Sequence, residues 1–283
     1  MLKPDSPFFS VIIPTYNRRH FFDIAFKSVL NQTYKDFEVI IVDDGSTDRT
    51  GEMIRHLLDT RIKYLYQENH GVSHARNRGL EISNGKFMAF LDSDDRWAPQ
   101  KLARVNEVIN QHPHISIFHT DEIWYKGGSL LNKKAKHRKP SGYVYRQALP
   151  LCCIGMSTAV VKREVFEKIG LFDESLPACE DYDFWLRATH SFEVKLINES
   201  LTIKDGGRTD QLSSQSGLDK HRIKALEKML CSNRLNEEEY RLTLGELAKK
   251  CRIYALGAEK RGRLKEANLY SQFATKYLLR SGG

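Results

Sequence analysis

No stretch of this 283-residue chain approaches the roughly 18 consecutive apolar residues that a membrane-spanning helix requires. Its first residues offer no signal-peptide core either, because Lys3, Pro4 and Asp5 interrupt the apolar character at once. The expectation is a cytoplasmic protein, with at most a peripheral contact at the inner membrane face. Cysteine is scarce. Cys152, Cys153, Cys179, Cys231 and Cys251 are odd in number and never spaced Cys-x-x-Cys, which excludes a disulfide framework and a zinc site; they read as reduced packing residues. Two phosphate-binding signatures are missing as well. No Gly-x-Gly-x-x-Gly follows the first apolar segment and no Gly-Lys-Ser/Thr loop occurs, so neither a dinucleotide-binding dehydrogenase nor a P-loop NTPase is indicated. Basic residues do not interleave with aromatics on one motif, which argues against a nucleic-acid partner.

What is present is enough apolar residue for a real core, 41% of the chain, and a net charge of +8 that favours anionic partners. Apolar runs and helix-spaced stripes alternate from Phe8 to Phe118. Phe8 to Tyr16 reads as a strand stopped by Pro14; Phe22, Ala25, Phe26, Val29 and Leu30 as a helix; Phe37 to Val42 as a second strand. Ser46 or Asp48 then caps a helix through Met53, Ile54, Leu57 and Leu58, and Ile62 to Tyr66 is a third strand. The stretch from Gly71 to Gly79 reads as a loop entering a helix. After a fourth strand come a helix with Ala98, Leu102, Val105 and Ile109 on one face and a fifth strand from Ile115. Such alternation predicts an α/β fold with a mixed, mostly parallel sheet flanked by helices.

The fourth strand, Phe87-Met88-Ala89-Phe90-Leu91, breaks abruptly into Asp92, Asp94 and Asp95. Ligands in open α/β sheets collect beyond the carboxyl ends of the parallel strands. An Asp-x-Asp pair delivered there by a buried strand repels itself, and a divalent cation that also grips diphosphate oxygens relieves the repulsion. For Asp95, with Pro99 close behind, a helix cap is the competing reading.

Beyond Asp121 the chain turns polar, and the basic run of Lys133, Lys134, Lys136, His137, Arg138 and Lys139 reads as a solvated loop, with a mobile lid as the alternative. Ser157 to Val161 is a strand, Arg163 to Ile169 a short helix ended by Gly170, and Glu180-Asp181 opens another helix. Two short strands follow, Val194 to Ile197 and Leu201 to Ile203. Three apolar stripes then predict a helical extension over 217–283, its last two helices separated by Gly257 and Gly262 and docked on the main domain or on another subunit.

The order Pro14-Thr15-Tyr16-Asn17, Val42-Asp43-Asp44-Gly45-Ser46, Ala75-Arg76-Asn77-x-Gly79, Leu91-Asp92-Ser93-Asp94-Asp95 and Glu180-Asp181 resembles family-two glycosyltransferases of the GT-A fold. The resemblance implies a GT-A domain over 1–216, with a nucleotide-binding half at 8–120 and an acceptor half at 121–216. It implies transfer of one sugar from a nucleotide-sugar donor, UDP-linked, to a glycan, lipid-linked or protein acceptor. Pro14, Thr15, Tyr16, Asn17 and Asp44 would hold the nucleobase, Arg76 the diphosphate or base, and Asp92 with Ser93 the ribose side. Asp94 would bind Mn²⁺ or Mg²⁺, and Asp181 would be the base of an inverting displacement. The residues themselves leave room for plainer roles: Tyr16 as a packing aromatic, Arg76 as a surface helix charge, Glu180 and Asp181 as partners of a helix dipole. Where relatives carry a histidine after a Gly-Gly pair, Arg208 stands here, so a third protein ligand for the metal gives way to an arginine that could meet the diphosphate. Glu180 is the other candidate for an acceptor or diphosphate contact. The Gln-x-x-Arg-Trp sequence of processive members is absent, which favours single-sugar transfer. Two further classes stay open, a catalytically silent nucleotide-sugar-binding scaffold and a metal-dependent phosphatase or nucleotidyltransferase.

Overall fold

The computed structural model describes residues 6–55, 59–132, 137–207, 211 and 216–281. The nucleotide half is built from β1 (Phe9–Thr15), α1 (Arg19–Leu30), β2 (Phe37–Asp44), α2 (Thr50–Arg55), β3 (Ile62–Gln67), α3 (Val72–Ile82) and β4 (Phe87–Phe90), followed by β5 (Asp95–Trp97) and α4 (Lys101–Gln111). Next come β6 (Ile117–Lys126), β7 (Ser129–Leu131), α5 (Tyr145–Ala148), β8 (Ala159–Lys162), α6 (Arg163–Ile169), α7 (Glu180–Ser191) and β9 (Val194–Gly206). The chain closes with α8 (Asp219–Cys231), α9 (Glu237–Lys260) and α10 (Leu264–Ser281).

One sheet runs in the order β3-β2-β1-β4-β8-β6-β9-β5, with β7 paired to β6. The first four of these strands are parallel, β8 is antiparallel to both neighbours, and β6 and β9 are parallel again. Alternation along the strands divides the core. Val11, Ile13, Val39 and Ile41 pack with Phe22, Phe26 and Val29 of α1 and Leu102 and Val105 of α4 on one face. Ile12, Ile40, Val42 and Phe90 pack with Ala75 of α3, Phe166 of α6 and Phe184 of α7 on the other. Each fully buried aromatic or aliphatic side chain contributes about 1.5–3 kcal/mol. A third cluster joins Tyr145, Tyr182 and Leu186 to Ile223, Leu226, Leu247 and Tyr254, so α7 is sandwiched between the sheet and the terminal helices.

Several local expectations are corrected. β1 runs through Pro14: Ile12 O accepts the Leu91 amide, so alternate residues face β4, and Pro14 falls past the last β4 partner, where no ladder bond is lost. Helix α3 begins at Val72, so Ala75, Arg76 and Asn77 are helical. Asp95 caps nothing; it lies buried on β5, and α4 starts later, at Lys101, without a side-chain cap. The polar stretch after Asp121 continues β6 to Lys126 and turns into β7, because Gly127 and Gly128, both at positive φ, close a hairpin. The two short strands expected near residue 200 are one strand, β9, whose register slips beside Asp121. Gly257 lies inside α9, and the break falls at Gly262 alone. Leu57, Leu58, Lys133, Lys134 and Lys136 lie outside the described residues.

Candidate active site

Parallel, in-register pairing brings β1, β2 and β4 to a common carboxyl-terminal edge. The loops beyond them are tied to each other. Asn17 takes a left-handed conformation (φ 51°), its amide donates to Ser46 Oγ at 2.9 Å, and its Oδ1 accepts the Thr47 amide at 2.8 Å. Between them Tyr16 stands 48% exposed, whereas Thr15 is buried with its Oγ1 lacking a hydrogen-bond partner. Tyr16 is thus no buried packing aromatic; about half of it is open to solvent beyond the end of β1.

Asp44 is buried and closes the same wall. Its Oδ1 accepts Gln67 Nε2 at 2.6 Å and the His70 amide at 2.9 Å, and its Oδ2 accepts the Gly71 amide at 2.8 Å. A carboxylate has about four acceptor positions, so these three bonds leave room for one donor from a ligand.

Arg76 is buried and not a surface charge. Its Nη1 donates to Glu180 Oε1 at 2.6 Å and its Nη2 to Asp92 Oδ1 at 2.8 Å, while the guanidinium lies 5.5 Å from the Phe172 ring centroid. Its Nε has no partner. The residue expected to meet diphosphate therefore spends two of its donors joining the acid run to the start of α7. Burial pushes Glu180 up, with Asp181 adding to the rise and Arg76 opposing it. At Asp92 burial acts upward too, but Arg76 and Lys204 prevail and hold the carboxyl below its ordinary range.

The acid run turns tightly, the Asp95 amide donating to Asp92 O at 3.0 Å. Ser93 is buried and Asp94 half-buried, with Gln211 Nε2 at 3.5 Å from Asp94 Oδ2. Asp95 faces inward, where Lys204 Nζ lies 2.9 Å from its Oδ2; burial, only partly offset by Lys204, pushes it up to about 6.

The segment from Cys152 to Ser157 crosses from this acid run to α7. At one end Ser157 Oγ accepts the Asp92 amide at 3.1 Å and donates to Asp95 Oδ2 at 2.5 Å. At the other, Cys152 Sγ donates to Asp181 Oδ2 at 3.3 Å. Against it lie a buried ion pair, Lys139 Nζ 3.1 Å from Glu122 Oε1, and the buried Lys101, whose Nζ donates to Ser157 O at 2.7 Å and Thr202 Oγ1 at 2.8 Å. A Cβ at Gly155 would come within 3.2 Å of Glu122 Oε2, so this segment passes as close to the charges as glycine permits. Lys139 is accordingly no part of a solvated loop. Sequence reasoning missed Lys204, Glu122 and Ser157. For Lys204 a signal existed, since it follows the apolar Leu201 to Ile203 just as the acids follow Phe87 to Leu91. Nothing in the spacing marks Glu122 or Ser157.

Helix α7 starts from Cys179 in a left-handed conformation (φ 61°), a strained backbone of the kind that clusters at functional sites. The two acids that follow diverge. Glu180 points inward to Arg76, and Asp181 stays half-buried beside Cys152, with its Oδ1 on the Tyr182 amide at 2.7 Å. The thiols of Cys152, Cys153 and Cys179 are all pushed up by burial, which leaves them protonated packing groups; Cys231, by contrast, is exposed. Arg208 lies outside the described residues.

Among the described residues no three His, Cys, Asp or Glu side chains converge on one point. Asp92 and Asp95 are each paired with a cation, and Asp94, half-buried between them in the chain, has Gln211 Nε2 at 3.5 Å from its Oδ2. A single carboxylate suits Mg²⁺ or Mn²⁺ bound mainly by diphosphate and water, which need only one or two protein oxygens.

Sheet order, loop-borne acids and a second acid pair on a following helix define a nucleotide-diphosphate-type α/β transferase domain. Residues 10–170 match the Glycosyl transferase family 2 model, and the chain belongs to that family. It is 35% identical over 192 residues to an uncharacterized glycosyltransferase of Rickettsia prowazekii, covering 64% of this chain and 58% of that one. It is 33% identical over 190 residues, 67% of this chain and 72% of the other, to the Escherichia coli UDP-Glc:alpha-D-GlcNAc-diphosphoundecaprenol beta-1,3-glucosyltransferase WfgD. The chain spans 63% or less of the length of the Rickettsia relatives, and only 26% of one of them. Among solved structures, Staphylococcus aureus TarS 1–349 in complex with UDP-GlcNAc superposes with a TM-score of 0.68 at 18% identity, over 96% of this chain and 91% of that one. The Pyrobaculum calidifontis mannosyltransferase in complex with GDP-Man and Mn²⁺ gives 0.64 at 19% identity, over 98% and 86%. The fold is GT-A.

Proposed function

We propose that this chain transfers one sugar from a UDP-sugar to an acceptor hydroxyl, with inversion at the anomeric carbon. One observation carries the reading: Arg76 bonds both Asp92 of the acid run and Glu180, so a single guanidinium joins the donor acids to the first turn of α7, where Asp181 is the next residue. Thr15 Oγ1, the Tyr16 ring and the fourth acceptor position of Asp44 suit a uracil, which offers an N–H donor, carbonyl acceptors and a stacking face. Residues 8–120 then hold the donor and 121–216 the acceptor. Asp94 would hold the divalent cation, which supplies charge neutralisation of the departing diphosphate when bound.

Asp181 Oδ2 takes the acceptor proton as the acceptor oxygen bonds to the anomeric carbon; the bond from that carbon to the diphosphate oxygen breaks, and UDP leaves with the electron pair. Cys152 keeps the carboxylate turned toward the crevice. Arg76 and Lys204 position the acid run. The activity of the Escherichia coli relative, a glucosyl transfer onto a lipid-diphosphate-linked sugar, supports a glycan precursor on a lipid carrier as the acceptor class.

The experiment is a thermal-shift series with UDP, UDP-sugars and GDP-mannose, each with Mn²⁺ and with EDTA, followed by donor hydrolysis. A ligand at 100 times its Kd adds about 2.7 kcal/mol, enough to read. Metal-dependent stabilisation by a UDP-sugar, lost in Asp94→Ala, is expected. Equal UDP binding in EDTA would refute the metal's role, and binding without any hydrolysis or transfer would favour a silent scaffold.

A further inference from the structure

The charge of this chain is not spread evenly. From Lys249 to Arg280 there are nine lysines and arginines against Glu259 and Glu266, a net of +7 in 32 residues, while the remaining 251 residues together carry +1. That segment is the second half of α9 and nearly all of α10. On α9 the exposed Lys249, Arg252, Ile253, Leu256 and Lys260 recur at intervals of three and four, one continuous outer stripe in which two aliphatic side chains, 46% and 51% exposed, are flanked by cations. On α10 Lys265, Leu269, Lys276 and Leu279 repeat the pattern, Leu279 being 77% exposed.

We infer that this face of the α9–α10 hairpin docks on an anionic phospholipid surface. Lone exposed leucines need no explanation, but aliphatic stripes set within a concentrated basic field are the composition of helices that lie in a membrane interface. The exposed large apolar residues from Ile253 onward are all aliphatic, with no aromatic ring on which a nucleobase would stack, so lipid fits the face and nucleic acid does not. A second copy of the chain would bring the same exposed cations, Arg252, Lys260, Lys265 and Lys276 among them, against their own, and like charge opposes that pairing. No helix of the described residues is long and apolar enough to cross a membrane, so the contact is peripheral.

The stripe is also well placed. Lys250, beside its first member, donates to Pro150 O at 2.8 Å and lies 3.7 Å from Asp219 Oδ1, and Pro150 is two residues from the Cys152 that holds Asp181. Lys250 is buried, so the stripe is the outer side of a helix whose inner side is anchored to the segment that leads to Cys152. The docking surface stands whether or not the transferase reading holds.

The test is flotation of the full chain with phosphatidylcholine vesicles, alone and with phosphatidylglycerol. Phosphatidylglycerol should raise the bound fraction at least about tenfold, and high salt should reverse it. Ile253→Glu with Leu256→Glu, and separately Arg252→Glu with Lys260→Glu, should each abolish flotation while far-UV circular dichroism, Tm and UDP binding stay unchanged. Equal flotation with and without the anionic lipid, or wild-type flotation of either pair, would overturn the proposal. So would size-exclusion chromatography showing a dimer that the Ile253→Glu, Leu256→Glu pair dissociates, which would assign the face to a second copy.

Discussion

Arg76 and Glu180 are 104 residues apart in sequence and 2.6 Å apart in the folded chain, both nearly excluded from water. The same guanidinium holds Asp92 at 2.8 Å, so one side chain fixes the first turn of α7 against the end of β4. The acid that could act on an acceptor is the next residue, Asp181. Its position relative to the donor acids is therefore set through Arg76 from one side and through Cys152 from the other.

Replacing Arg76 by Met should strand the buried carboxylate of Glu180 and remove one partner of the half-buried Asp92. Breaking a buried pair by removing one partner costs about 3–5 kcal/mol. Urea unfolding should show a loss of that order. Arg76→Lys should recover only part, because one ammonium cannot serve two carboxylates with a planar fork. A loss below about 1 kcal/mol in Arg76→Met would mean that the pairs contribute little.

Asp181→Asn should leave UDP-sugar binding intact and lower transfer. Asparagine keeps the size and can accept from Cys152, but it takes no proton, so kcat should fall by the ~10²- to 10⁴-fold typical of losing a general base. Added formate should restore part of the turnover. A product with the donor's anomeric configuration would exclude direct displacement.

Asp44→Ala and Tyr16→Ala should weaken UDP more than inorganic diphosphate, because both side chains are proposed to hold the base. For Asp44 the loss should be about 1.5–3 kcal/mol, the range of a hydrogen bond to a charged group. Part of any loss at Asp44 comes from the freed Gln67, His70 and Gly71 donors, so the comparison of the two ligands, measured by calorimetry, carries the test.

His119 should make the fold acid-sensitive. Burial first, and the Lys139 charge second, lower it from 6.5 to about 3, and it stays neutral with Nε2–H donating to Pro140 O at 2.8 Å. A base whose folded pKa lies below its unfolded one contributes stability that is fully present above pH 6.5 and drains away as pH falls toward about 3. Urea midpoints across that window should drop faster for wild type than for His119→Gln, which keeps a donor and cannot charge. Parallel curves would show that His119 does not titrate with unfolding.

Apart from the three-residue β5, the order of strands and helices from Phe9 to Ile117 was legible in the chain, because a buried face leaves a period of two or 3.6 in the residues that make it. The acids at the ends of β2 and β4 were legible for a related reason: a carboxylate directly after a run of buried apolar residues breaks the pattern abruptly and needs a partner. Asp95 defeated that local logic. Whether it caps α4 or pairs with Lys204 depends on β9 arriving from a hundred residues away, which no spacing records. The same holds for the basic run. Lys139 looked solvated among its neighbours in sequence, and Glu122, far from it in pattern though close in number, decided otherwise. Sequence alone determined the fold family and the list of acids. Only the tertiary structure paired Asp92 with Arg76 and Asp95 with Lys204, and turned Glu180 inward and left Asp181 half-buried beside Cys152, because partnership of charges is settled by distance in space and not by order along the chain.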